Sequence, residues 1–299
     1  MPDKSDFVIT ALGEILWDVF PGGKRLGGAP ANFAFYSAAL GLQSRIVSRI
    51  GADPAGDEIR DKVKASGLDP GFLQIDPVHP TGKVTVELDR QGIPSYSIHE
   101  NTAWDFIEMT PELDDLAASS NAVCFGTLAQ RSPVSRKTIR RFLDKVSANC
   151  LKVCDMNLRV PHENPDVIEY CLSACDVLKL NEDEAGHIRR LFGWKEAGWD
   201  LLYKIRDGFA IEYLAETRGD SGSRLLCPDK SAEHPGYSIS LKDTVGAGDA
   251  FAAVLAVGIL KKDSCDALNE RANKTASLVC EQEGAWTKLP IKEIINEPF

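Results

Sequence analysis

The chain has 299 residues, of which 43% are hydrophobic and 26% charged, and its formal net charge is −10. That length suits one large α/β domain or two small ones of ordinary soluble composition. The acidic balance argues against nucleic acid or an anionic membrane as partner, because both call for a basic surface. No apolar run is long enough for a membrane span, and the Met1–Asp6 start lacks the apolar core of a signal peptide.

In chain order, Val8 to Gly13 reads as a buried strand. Ala31 to Leu40 is an apolar helix of small residues stopped by Gly41. Ser44 to Ile50 is a second strand, and Gly56 to Ser66 an amphipathic helix ended by Gly67. Between Thr81 and His99 apolar and polar residues alternate on both sides of the turn-like Asp89-Arg90-Gln91-Gly92. That pattern is a hairpin with one apolar face, and Pro94 suits its edge. From Asn121 short strands (Ala122 to Phe125, Leu151 to Asp155, Val177 to Leu180, Ile211 to Thr217) alternate with helices such as Ser135 to Val146 and Glu182 to Phe192. Such alternation implies a mostly parallel sheet covered on both faces. Ala247 to Leu260 and Cys265 to Gln282 close the chain as helices. No repeat or linker interrupts it, so a single domain over 1–299 with a small β flap is expected.

None of the eight cysteines forms a C-x-x-C pair, and most lie in apolar patterns. Buried free thiols are expected, with a zinc or disulfide framework as the alternative. Together these features point to the cytoplasm.

The densest chemistry is Asp243-Thr244-Val245-Gly246-Ala247-Gly248-Asp249. A turn of small residues opens a helix, and the N–H groups of Gly246, Ala247 and Gly248 have no intrahelical partner. With the helix dipole they form an anion site suited to a phosphoryl group. Asp249, in the first turn beside it, can accept a proton from a hydroxyl. The plain alternative is a glycine-rich turn whose Asp complements the dipole. A second segment, Gly27-Gly28-Ala29-Pro30-Ala31-Asn32, allows close backbone approach to a ligand. Its Asn32 offers both donor and acceptor. The plain reading there is a loop entering a helix.

The string DTVGAGD matches the DTxGAGD signature of the ribokinase-like (PfkB) carbohydrate kinases, and the whole chain resembles that family from Gly13 to Gly284. The resemblance implies a ribokinase-like α/β fold: a mostly parallel central sheet flanked by helices, with a small β-strand lid near 14–27 and 81–99. Because few residues separate Asp18 from Gly27, the lid is expected to rest mostly on 81–99. The resemblance also makes Asp249 the catalytic base and Gly246, Ala247 and Gly248 the anion hole. Asp18, Gly27, Gly28, Asn32 and Arg159 fall at sugar-binding positions, with Asp155 and Asn157 weaker candidates in the same D-x-N-x-R segment. Asn181 and Glu184 match the N-x-x-E motif, where Glu184 organises Mg²⁺ through water; an acidic helix start is the plain alternative. Thr217, Gly219 and Gly222 match the T-x-G-x-x-G turn beside the ATP phosphates, which also reads as a hairpin. Asn273 matches an adenine-side asparagine. Asp243 and the carbonyls of Val245 and Gly284 match a monovalent-cation position, making K⁺ a candidate beside ATP and Mg²⁺.

The motifs look most like those of bacterial fructokinases, so fructose is the expected acceptor; 2-keto-3-deoxygluconate, ribose, another ketose and a nucleoside stay open. A homodimer through the lids is implied by some members. The other readings are a non-catalytic sugar-binding homologue and a structural Rossmann-like module. There is no G-x-x-x-x-G-K-[ST], no G-x-G-x-x-G after the first strand and no HExxH, which argues against a P-loop kinase, a dinucleotide enzyme and a zinc protease.

Overall fold

The computed structural model describes residues 7–88, 94–290 and 294. The chain opens with β1 (Val8–Leu12) and then a hairpin of β2 (Leu16–Phe20) and β3 (Gly23–Gly27). Next come α1 (Ala29–Ala39), β4 (Gln43–Gly51), α2 (Pro54–Ala65) and β5 (Leu73–Asp76). A second hairpin, β6 (Lys83–Leu88) with β7 (Pro94–Ile98), leads to α3 (Pro111–Ser119). Strands and helices then alternate through β8 (Ala122–Gly126), α4 (Pro133–Lys145), β9 (Leu151–Asp155) and α5 (Pro165–Ala174). β10 (Val177–Asn181), α6 (Glu182–Leu191), α7 (Gly198–Gly208) and β11 (Tyr213–Thr217) continue the series. β12 (Ser223–Leu226), β13 (Ser231–His234), α8 (Ala247–Leu260) and α9 (Cys265–Cys280) complete it.

Among the described residues the large sheet has nine strands in the order β13-β12-β11-β10-β9-β8-β1-β4-β5. Pairing is parallel from β5 to β11 and antiparallel for β12 and β13 at the edge. Two apolar layers cover it, and the strand period explains why. Ile9, Ala11, Cys124, Val153 and Val177 point to the face packed by α1, α8 and α9. Leu12, Val123, Phe125, Cys154 and Leu178, one residue out of step, point to the face packed by α3 to α7. The fold is thus the expected ribokinase-like α/β type.

Three expectations change. α1 begins at Ala29, two residues earlier than read, because Pro30 occupies the first turn, where its missing N–H costs nothing. The small sheet does not rest mostly on 81–99: both hairpins contribute two strands, in the order β3-β2-β6-β7. β2 and β6 join them in parallel, with Trp17 opposite Lys83 and Asp18 opposite Val84, and Leu16, Val84 and Val86 form its apolar seam. The turn 89–92 lies outside the described residues. The cysteines are not all free, since Cys227 and Cys265 form a disulfide joining the end of β12 to the start of α9. Cys124, Cys150, Cys154, Cys171 and Cys175 are buried free thiols, and Cys280 is a partly buried one.

Candidate active site

The site lies at the C-terminal ends of β1, β9 and β10, where loops of an open parallel sheet gather ligands. α8 enters it through Gly246, whose φ of 84° is a left-handed conformation that glycine adopts without cost. A Cβ on Gly246 would lie 2.9 Å from the Cα of Ala285. At Gly248 a Cβ would meet the Lys179 ammonium at 2.7 Å. Gly246 is therefore held small by backbone, while a side chain at Gly248 would have to push the Lys179 ammonium aside. Of the three expected amides, that of Ala247 donates to the Thr244 carbonyl at 3.3 Å, a long bond in the tightened turn. Gly248 N–H sits in the first turn, ahead of the intrahelical ladder.

Asp249 follows in the same turn, recessed but not fully covered. Asn32 Nδ2 donates to its Oδ2 at 2.7 Å, and Trp286 Nε1 donates to Asn32 Oδ1 at 2.9 Å. Asn32 was expected to face a sugar hydroxyl with donor and acceptor together. One amide hydrogen is engaged by Asp249 and one lone pair of Oδ1 by Trp286, leaving the second hydrogen and the second lone pair. Burial, then the charge of Asp155, pushes the Asp249 carboxyl up to about 6, against the Asn32 bond and the charges of Lys179 and Arg159.

Lys179 was read only as part of a strand. Its ammonium is buried, 3.1 and 3.4 Å from the two carboxylate oxygens of Asp155. Burial alone would lower its pKa; Asp155, Glu184 and Asp249 outweigh burial and raise it, so it stays charged. Glu14, also unassigned from sequence, is buried and pushed up to about 7, first by burial. It lines a narrow cavity with Asp155, Asn157, Pro30 and Thr127.

From the lid, Asp18 on β2 faces this cluster. Burial pushes its carboxyl up to about 6, opposed by Arg159 and reinforced by Asp243. Gly27 lies directly under it, where a Cβ would be 2.3 Å from Asp18 Oδ2. Gly28, with φ 107°, passes so close to Glu14 that a Cβ would meet its carbonyl at 2.4 Å. Arg159 is exposed, yet its charge lowers the pKa of Glu14, Asp18 and Asp249 alike. The structure therefore gathers Asp18, Gly27, Gly28, Asn32, Arg159 and Asp249 around one space.

Beyond the start of α8 opens a cleft of about 870 Å³. Asn181, Thr217, Gly219, Gly222 and Asn273 line it, with Ala247 and Gly248 at its inner end. Gly222, φ 78°, is irreplaceable in this turn, because a Cβ would sit 2.0 Å from the His234 carbonyl. The T-x-G-x-x-G segment links antiparallel β11 and β12, as the hairpin reading has it, and also walls the cleft. Asn273 is buried and donates to Ser223 Oγ at 2.7 Å. Glu184 is not among the lining residues. It forms a capping box with Asn181, and its two oxygens accept N–H bonds from Leu158 and Asn181 at 2.9 and 2.8 Å. A larger cavity of about 1310 Å³ lies behind α1, but it brings none of the carboxylates Asp18, Asp155 or Asp249 together with the helix-start amides.

Asp243 Oδ1 accepts from Val245 N–H at 3.1 Å and Oδ2 from Gly284 N–H at 3.0 Å. Arg25 Nη1 lies 2.7 Å from the same Oδ2.

A nucleotide-sized cleft, a helix-start anion site and a recessed carboxylate under a β lid define a phosphotransferase of the sugar-kinase type. Residues 6–292 match the pfkB family carbohydrate kinases, and the chain belongs to that family. It is 30% identical to the sugar kinase PH1459 of Pyrococcus horikoshii over 88% of this chain and 83% of that one. The crystal structure of that uncharacterized kinase superposes with a TM-score of 0.83, covering 97% of each chain. The same protein has been solved in complex with ATP, with a TM-score of 0.80 at 29% identity, covering 93% of this chain and 94% of that one. A fructokinase of Klebsiella pneumoniae is 28% identical over 95% of this chain and 97% of its own length.

Proposed function

We propose that this protein transfers the γ-phosphoryl group of ATP to a primary hydroxyl of a sugar, most specifically fructose, giving fructose 6-phosphate. The observation that carries the reading is the Asp249 carboxylate, held by Asn32 beside the Gly246–Gly248 helix start and the cleft. Asp249 takes the proton from the attacking hydroxyl. Asp18 and Arg159 hold the sugar, with Gly27 and Gly28 giving it room. The triphosphate lies along Thr217, Gly219 and Gly222, and its reacting end meets the amides of α8 and the Lys179 ammonium, which absorb charge in the transition state. Asn181 and Asn273 belong to the nucleotide side.

Mg²⁺ fits the residues present. Among the described residues no three-carboxylate cage exists, and Mg²⁺ commonly binds through phosphates, waters and one or two carboxylates. Glu184 is buried, off the cleft wall and already bonded through both oxygens, so it would act on the ion only at a distance, through intervening water. When bound, the ion neutralises charge on the phosphates. The four-stranded lid closes over the sugar and keeps water from competing as acceptor.

Among the described residues no helix is long and apolar enough to cross a membrane, in keeping with a cytoplasmic enzyme. Tyr96, exposed on the lid edge strand β7, is suited to pairing two lids in a homodimer.

Fructose is favoured by the motifs and by the fructokinase relatives. ADP release on a panel of fructose, 2-keto-3-deoxygluconate, ribose and a nucleoside tests it. Turnover on fructose above the water blank is expected. Turnover only on another member moves the substrate, and ATP-independent binding of sugar without any turnover would revive the non-catalytic alternative.

A further inference from the structure

Arg25 lies on β3 of the lid, directly across the strand pair from Asp18. In an antiparallel pair opposed residues share a face, so the guanidinium and the Asp18 carboxylate look into the same cleft. Arg25 does not pair with Asp18. It crosses to the body, where Nη1 reaches Asp243 Oδ2 at 2.7 Å and Nη2 reaches Glu283 Oε2 at 3.2 Å.

Asp243 is the residue from which the loop to the anion site hangs. Its carboxylate fixes that loop by accepting Val245 N–H and ties it to the C-terminal segment by accepting Gly284 N–H. The Arg25 bond is therefore the point where lid position enters the loop that sets the Gly246–Gly248 amides. Arg25 is 43% exposed, against 16% at Asp243 and 73% at Glu283, so water screens the Glu283 arm far more than the Asp243 arm, and the half-exposed guanidinium can still leave each time the lid opens.

The same geometry bears on the monovalent cation. With three N–H donors on it, one of them a guanidinium, the Asp243 carboxylate has its charge already compensated and does not fit a K⁺ ligand unless Arg25 leaves.

We infer that Arg25 is a positioning residue that couples lid closure to the anion-site loop, and that its guanidinium takes the place of a monovalent cation at Asp243. This rests on the sugar-kinase reading for its kinetic readout, but not for its structural one.

The test compares wild type with Arg25→Gln and Arg25→Lys. Arg25→Gln is expected to lower kcat by roughly 5- to 50-fold, the scale of coupling between sites, with a smaller change in KM for ATP. Arg25→Lys restores part of it. In choline chloride, added KCl leaves wild-type kcat within about twofold and raises that of Arg25→Gln, because the cation then reaches the bared carboxylate. Hydrogen exchange without any substrate should quicken in Arg25→Gln both in β2–β3 and in residues 243–248. The exchange result stands even if no sugar on the panel is turned over, so the two ideas fail separately. Strong K⁺ activation of the wild type overturns the inference. So does an Arg25→Gln protein whose 243–248 exchange matches wild type.

Discussion

Asn32, near the start of α1, and Asp249, near the start of α8, stand 217 positions apart in the chain and are joined by a 2.7 Å hydrogen bond. Both helices pack on the same face of the sheet, and their crossing makes the contact. One N–H aimed at one carboxylate oxygen leaves the other oxygen without a hydrogen bond, as the proposed role of general base requires.

Asp249→Asn keeps the shape and can still accept from Asn32, so the fold should survive. As the base is lost, kcat is expected to fall by roughly 10²–10⁴ with little change in thermal midpoint. Single-turnover ADP formation beside a melting curve measures both. Near-wild-type turnover in the Asn variant would remove Asp249 from the mechanism.

Acid should switch the enzyme off in a defined window. The base works ionised, and burial sets its carboxyl at about 6, so kcat/KM should decline about tenfold per unit as pH drops below that value. The Asn32 bond favours the ionised form. Asn32→Ala should therefore move this limb to higher pH, whereas a merely structural Asn32 would lower activity evenly at all pH values. Stability of the fold should have the opposite slope, read as a thermal midpoint against pH. The carboxyls of Glu14, Asp18 and Asp249 are all raised by burial. Their neutral forms favour the fold below the unfolded-state values, and that contribution fades as pH rises through about 6 to 7.

Gly27→Ala probes the lid side. The added methyl would stand 2.3 Å from Asp18 Oδ2, so the carboxylate must swing away from the cleft. KM for the sugar should rise about tenfold or more while kcat and KM for ATP change less. An unchanged KM for every accepted sugar would take Asp18 out of substrate binding.

Much of this molecule could be read from its residues one after another. α8 runs from Ala247 to Leu260 as read, since a left-handed glycine and an unbroken apolar run mark it without help from the rest of the fold. α3 and α5 went unread because each is short and only modestly amphipathic, whereas α7 went unread although its apolar face is as marked as that of α2. β2 and β3 were seen as a short lid segment, but the partnership of β2 with β6 is a pairing across more than sixty positions. The signature residues pointed to the start of α8 as the candidate anion site, but not to its electrostatic setting. Lys179 stands between Leu178 and Leu180 in an apolar strand, and that misplaced charge was a legible clue to a buried ion pair with Asp155. Glu14 gave a weaker one, as an acid directly after a buried strand. Asn32 could be tied to a hydroxyl or to the base only once the crossing of α1 and α8 was known. The Cys227–Cys265 bond likewise depends on α9 returning beside β12, which no spacing announces.

Trp286 stacks on Phe35 with ring centroids 4.7 Å apart while its indole N–H holds Asn32. Trp286 is synthesised 254 positions after Asn32. Until it has been made, Asn32 lacks its anchor and Asp249 its fixed orientation. A growing chain can therefore bury much of its sheet and still lack an oriented carboxylate at the start of α8 until the indole arrives.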